Sequence, residues 1–232
     1  MKAAQRRGKP FYGPDKLNWW FLWTIKYGIA WILPVLFRIR VIGKQNLPPG
    51  GAVLAANHVS AFDSVLLFSL KLGKQPHFVS KSELYKVKVG GWHVLGWVLD
   101  MFGTIPVERG TADRAMINQS TDLLNAGEWV CIFPEGTRKK DGAISAEMTE
   151  AMGGAAFLSQ RTDAPIVPIG IAGTEHIVLP GKKLPRFPRV TYVIGEPIYP
   201  AQFEGKRKEK VTSMTNVVME EIKRLRDVAR EL

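Results

Sequence analysis

The chain has 232 residues, a length that suits one folded domain, and its 46% hydrophobic content excludes a generally disordered protein. Lys plus Arg total 32 against 21 Asp plus Glu, a formal charge of +11 that favours anionic partners: acidic lipid headgroups, phosphorylated substrates or nucleic acid. The single cysteine, Cys131, excludes an internal disulfide framework and any zinc site built from cysteines.

The first ten residues are basic, with the composition of a poorly ordered tail. Residues 17–37 follow, an aromatic and apolar run with four Trp and a Tyr within thirteen residues. It lacks the small-residue cleavage site of a secretory signal. Lys26 in its middle and Pro34 near its end, expected to break the helix, argue against a clean membrane span. A full span and a soluble core helix remain possible. An in-plane or half-inserted anchor fits better, because Trp and Tyr bury their ring bodies and hydrate their tips at a bilayer interface. Lys16, Lys26, Arg38 and Arg40 would meet anionic headgroups.

From residue 38 onward, β-rich runs alternate with helical ones. Strands are predicted at Arg38–Ile42 and Gly51–Ala56, the second nearly all apolar and therefore central. A buried helix follows over Ser60–Leu72, then a short strand at His77–Ser80, a helix at Gly91–Met101 and a strand at Thr104–Val107. Thr111–Asn125 reads as a helix carrying Ala115, Met116, Gln119, Leu123 and Leu124, with Gly127 as its stop. Two buried strands, Trp129–Phe133 and Ile166–Ile171, flank a helix near Met148–Gln160. Cys131 lies in the first of them and reads as a buried, inert thiol, which leaves the redox compartment weakly constrained, cytosol preferred. A strand at Arg189–Ile194 precedes a closing amphipathic helix with Val211, Met214, Val217, Val218, Ile222, Leu225 and Val228. The alternation predicts a single αβ sandwich, with a mixed central sheet flanked by helices, over residues 38–232, behind the membrane-associating segment 1–37.

Two short runs leave buried strands at their carboxyl ends, where α/β folds gather catalytic groups. The first is Asn57-His58-Val59-Ser60-Ala61-Phe62-Asp63. A carboxylate accepting from one ring nitrogen of His58 fixes the tautomer and supports the imidazolium, and the other nitrogen is then free to take a proton from a hydroxyl. Read alone, the same residues serve as helix caps, with Asn57 or Ser60 helping. The second run is Phe133-Pro134-Glu135-Gly136-Thr137-Arg138. Gly136 allows close backbone approach to a ligand, and Thr137 and Arg138 supply donors suited to a phosphate, although a polar surface turn has the same look.

Together these runs resemble the boxes of the glycerolipid acyltransferase family, specifically the 1-acyl-sn-glycerol-3-phosphate acyltransferases: Asn-His-x-x-x-x-Asp at 57–63 and Phe-Pro-Glu-Gly-Thr-Arg at 133–138. Gly103-Thr104-Ile105-Pro106-Val107-Glu108-Arg109 lies between them and Val167-Pro168-Ile169 follows, in the family's order. The likeness spans residues 38–198. It implies His58 as general base, Asp63 as its orienting partner and Arg138 as the group that holds the acceptor's phosphate. Glu135, Gly136 and Thr137 would shape the acceptor pocket, and Lys81 and Arg109 would contact the acceptor. The implied reaction is acyl transfer from acyl-CoA or an acyl carrier protein to the sn-2 hydroxyl of 1-acyl-sn-glycerol-3-phosphate, with no cofactor or metal, on the cytoplasmic face of the cell membrane as a peripheral or monotopic protein. One departure stands out. Many members carry a Lys just before a Gly-Ala that follows the third block, whereas this chain reads Ala151-Met152-Gly153-Gly154-Ala155.

His77, His93 and His176 match no motif and read as structural or surface groups. No cluster has metal-ligand spacing, and neither a Walker loop, a dinucleotide fingerprint nor a Gly-x-Ser-x-Gly elbow occurs. Expected partners are a lysophospholipid, an acyl thioester and an anionic membrane surface. Nucleic acid is suggested by charge alone, since the basic runs 182–189 and 206–210 sit in no recognisable nucleic-acid module.

Overall fold

The computed structural model describes residues 28, 30–70, 72–87, 96, 99–100, 102–107, 113–134, 150–179, 181 and 184–232. One seven-stranded sheet runs in the order β1-β7-β6-β2-β5-β3-β4. The strands are β1 Arg40–Ile42, β2 Ala52–Ala56, β3 His77–Lys81, β4 Ile105–Val107, β5 Trp129–Ile132, β6 Ile166–Ala172 and β7 Thr191–Ile194. Among the described residues, the helices whose bounds are complete are α1 Phe62–Ser69, α2 Arg114–Asn125, α3 Glu150–Thr162 and α4 Arg207–Glu231. All neighbouring strands are parallel except β6 and β7, so the sheet is mixed, as the alternating elements predict.

Every residue of β2 is fully buried, which is why the strand is apolar throughout: helices cover both of its faces. Successive side chains point to opposite faces. Leu54, Ala56, Cys131, Ile169, Ile171 and Tyr192 pack with Leu66, Leu67 and Phe68 of α1. Val53, Ala55, Val130 and Ile132 pack instead with Ala155 and Leu158 of α3 and Met214, Val218 and Ile222 of α4. The long closing helix buries Met214, Val218, Ile222, Leu225 and Ala229 along one stripe. Val217, expected on that stripe, is exposed instead. Its neighbour Val218 occupies the inward position, and one residue along a helix turns the side chain by about 100°.

Similar corrections apply elsewhere. In α2 the buried side chains are Ser120 and Leu124, while Ala115 and Gln119 face solvent. The helix starts at Asp113, whose carboxylate accepts from the N–H groups of Ala115 and Met116 at 2.9 and 3.1 Å. Its stop is at Gly127 as expected, with φ 81°. Residues 30–36 are helical, so Pro34 lies inside the helix and does not end it. The end comes at Arg38, which adopts φ 47°. There Ile39 N–H donates to Pro34 O at 2.8 Å and Arg38 N–H to Val35 O at 3.1 Å, a Schellman closure with arginine at the left-handed position. Residues 17–27 and 29 of the expected anchor, and most of the expected helix at 91–101, lie outside the described residues. Among those described, no helix is long and apolar enough to cross a membrane.

Helix α4 lies against β6 at Gly170, where an added Cβ would come within 2.2 Å of the Leu225 carbonyl carbon. A methyl group there must push the helix backbone off the sheet. Gly170→Ala should therefore lower stability by about 3 kcal/mol, the upper part of the range for an overpacked core. A shifted midpoint in chemical denaturation, with unchanged helical circular dichroism before the transition, checks this.

Candidate active site

Strand β2 ends at Ala56 beside Ile169 of β6. One residue on, the buried Asn57 side chain takes over the pairing. Its Nδ2 donates to Ile171 O at 2.9 Å and its Oδ1 accepts from Ile171 N–H at 2.7 Å. A side-chain amide presents the same donor and acceptor as a peptide, so the ladder continues while the backbone turns away. The motif reading offered Asn57 as a helix cap. It serves as a strand clamp.

His58 follows on the turn between β2 and α1, its side chain 19% exposed. Nδ1 lies 2.8 Å from Asp63 Oδ2. The same oxygen accepts from the N–H groups of Val59 and Ser60, each at 2.8 Å. A carboxylate oxygen serving two backbone donors is an acceptor for the third, so Nδ1 carries the proton and Nε2 presents its lone pair. Asp63 is wholly buried in the first turn of α1, where the helix N-terminus favours negative charge. One carboxylate thus both folds the turn and orients the ring.

The imidazole is braced from the side. Phe133 stacks on it with ring centroids 4.3 Å apart and planes at 24°, and Phe78 lies behind Phe133 at 6.3 Å. This contact brings the start of the second box against the first. Strand register extends the same picture. Leu54 and Phe78 both pair with Cys131, so the register puts Asn57 and Pro134, just past their strands, level with Lys81 at the end of β3. Lys81 lies two strand spacings from β2, roughly 10 Å, and is partly exposed. Arg109, Glu135, Gly136, Thr137 and Arg138 lie outside the described residues, as does His93. His77 is structural, with Nδ1 2.9 Å from Gly103 O, and His176 is exposed.

Beneath the dyad sit two further titratable groups. Burial first, and the Asp63 charge second, push the Cys131 thiol far above its ordinary value. Burial, then Asp63 and Cys131, do the same to the Tyr192 phenol. Both stay protonated, so Cys131 is no nucleophile, as expected from its apolar strand.

The assembly is a solvent-reaching imidazole base, held by a buried carboxylate, at the parallel edge of a mixed sheet. Residues 38–172 match a family model described as Acyltransferase. The chain belongs to the acyltransferase family. This acyltransferase is 32% identical to the 1-acyl-sn-glycerol-3-phosphate acyltransferase of Bacillus subtilis (strain 168), over 87% of this chain and 94% of that protein. It is 37% identical to the lyso-ornithine lipid O-acyltransferase of Pseudomonas aeruginosa over 102 residues, 44% of this chain and 36% of that one. Its fold is similar to the crystal structure of the 1-acyl-sn-glycerophosphate acyltransferase of Thermotoga maritima, with TM-score 0.64 and 24% identity over 88% of this chain and 80% of that one.

Two outcomes are expected of this acyltransferase. Asp63→Asn keeps an acceptor for the Val59 and Ser60 amides but removes the charge that supports the imidazolium. Acyl transfer should fall on the order of 10³-fold or more with the fold retained, measured by thiol release alongside circular dichroism. Because the folded-state thiol is raised, Cys131 should resist iodoacetamide at pH 8 in the native protein and react once the chain is unfolded, as read by intact mass.

Proposed function

We propose that the chain transfers a fatty acyl group from acyl-CoA or an acyl carrier protein to the sn-2 hydroxyl of 1-acyl-sn-glycerol-3-phosphate, forming phosphatidic acid. The observation that carries this reading is the His58–Asp63 pair at 2.8 Å, stacked against the first residue of the 133–138 box. The similarity to the Bacillus subtilis protein over nearly its whole length supports the choice of acceptor.

In this mechanism both substrates are bound together. Nε2 of His58 takes the proton of the acceptor hydroxyl as its oxygen attacks the thioester carbonyl. The tetrahedral intermediate collapses with cleavage of the C–S bond. The departing sulfur takes the proton back from the imidazolium, leaving free thiol and ester. Asp63 stabilises the imidazolium between these transfers and remains ionised. A thiolate leaves readily, so no acyl-enzyme is required.

Lys81 and Arg138 hold the acceptor's phosphate, Arg109 also contacts the acceptor, and Glu135, Gly136 and Thr137 shape its pocket. Lys81 supports its part by ending β3 at the level of the catalytic turn. Residues 17–37 lie in the plane of an anionic membrane on its cytoplasmic face, which suits a lipid acceptor and the surplus of +11.

The similarity to a lyso-ornithine lipid O-acyltransferase favours a second reading, the same chemistry on a different lysolipid. The two part on the phosphate. If the acceptor is the glycerophosphate, Lys81→Ala should raise its KM by about ten- to hundredfold and leave that of the thioester unchanged. An acceptor without a terminal phosphate would be indifferent to the substitution.

The decisive measurement is a mass-spectrometric product screen that crosses several acyl-CoAs and acyl carrier proteins with several lysolipids. His58→Ala should abolish transfer in every productive pair while the fold persists. Turnover near that of the unsubstituted protein would sink the general-base role.

A further inference from the structure

The helical residues 30–36 have two distinct faces. Leu33 and Phe37 turn inward against the core beneath the sheet. Trp31, Ile32, Val35 and Leu36 turn outward, Val35 with 77% of its surface exposed. A second exposed apolar group comes from the segment that joins β6 to β7: Val178, Phe187 and Leu184, the last 81% exposed.

The two groups are welded together. The Phe187 ring meets Phe37 edge-on at 5.4 Å, and the Arg38 guanidinium donates to Phe187 O at 2.8 Å. That bond ties the residue at the left-handed helix end to the segment. Arg186 N–H donates to the carbonyl of the buried Ile177 at 2.7 Å, while Val190 N–H donates to Phe37 O and Arg40 N–H to Val190 O. The segment is thus tied to the core at Ile177 and to the helix end at residues 187–190.

Charge follows the same division. From Lys16 to Phe62 the chain contains no Asp or Glu, and neither does the stretch from His176 to Gly195. Exposed Arg38, Arg40, Arg186 and Arg189 stand among the apolar side chains, and Lys182 and Lys183 belong to the same stretch. Apolar tips ringed by cations, with no carboxylate in either stretch, complement the headgroup and upper acyl region of an anionic bilayer.

Topology places this surface at the catalytic edge. The segment leaves the carboxyl end of β6, the end that Asn57 clamps beside His58. Strand β7 is antiparallel to β6 and β1 is parallel to β7, so both begin at that edge. Phe37 also lies 6.5 Å from Phe62, the neighbour of Asp63.

We propose that Val178, Leu184, Arg186 and Phe187 form a second membrane-docking element, which seats with the outward face of residues 30–36 on an anionic lipid surface and turns the His58 edge toward the leaflet that holds the acceptor. The inference rests on the membrane reading of residues 17–37 and adds a contact remote from them in sequence. Docking at one helix would leave the domain free to swing about it; two welded contacts set its orientation.

The test uses the full chain with an environment-sensitive fluorophore on Leu184→Cys, since the only native thiol, Cys131, is buried. Vesicles of phosphatidylglycerol with phosphatidylcholine should blue-shift and brighten the probe, and phosphatidylcholine alone should do so far less. The same label on Val217→Cys, on the outer side of α4, should not respond. Leu184→Ser with Phe187→Ser should weaken vesicle binding about tenfold while turnover on detergent-dispersed substrate is unchanged. A silent Leu184 probe on protein that floats with the vesicles would overturn the second contact and leave the anchor standing. No flotation at all would remove both. Self-association in solution that the double substitution abolishes would assign the surface to a second copy of the chain and overturn the proposal.

Discussion

The edge of the sheet that carries His58 depends on one carboxylate oxygen. Asp63 Oδ2 gathers the ring N–H of His58 and the backbone N–H groups of Val59 and Ser60, each at 2.8 Å, inside a site with no exposure of its own. Charge-assisted bonds of this kind are shorter and stronger than neutral ones, and their strength grows where water is excluded. Burying a carboxylate carries a large desolvation penalty, which the convergent donors and the first turn of α1 offset. The turn and the base therefore form as a unit. Burial first, and this charge second, keep the protons on Cys131 and Tyr192 below it.

The sheet supplies the rest of the positioning. A turn that leaves β2 for α1 has unpaired backbone on its β6 side, and the Asn57 amide fills that side by pairing both ways with Ile171. Phe133 closes the β5 side by stacking on the imidazole. The ring is thus held by hydrogen bonds at one nitrogen and by packing on one face. In the proposed general-base role, such constraints reduce the motion that the ring must otherwise lose on reaching the transition state.

The antiparallel β6–β7 pair has a consequence for where lipid can approach. It brings the starts of β7 and β1, and with them Phe37 and Phe187, to the edge at which the parallel strands end. An all-parallel sheet would have sent these segments to the far side from His58. The Phe37 and Phe187 contact lies at the His58 edge for this reason, whereas Val178 is there because it follows the carboxyl end of β6.

Much of this was legible in the residues themselves. Buried strands, the order of strands and helices, the stop at Gly127 and the pairing of His58 with Asp63 are all written within short windows, because periodicity, capping and a turn of five residues are local properties. The expected central place of β2 followed from its lack of polar side chains. What required the tertiary structure were contacts between distant segments. Asn57 as a clamp on Ile171, Phe133 against the imidazole and Arg38 bonded to Phe187 all depend on β2 lying between β5 and β6 and on β7 lying beside β1. Strand order is set by which faces bury the most apolar surface at once, a property of the whole chain that no window contains. At the scale of one side chain, Val217 is exposed while its equally hydrophobic neighbour Val218 packs inward in the row of Met214 and Ile222, where α4 meets the sheet.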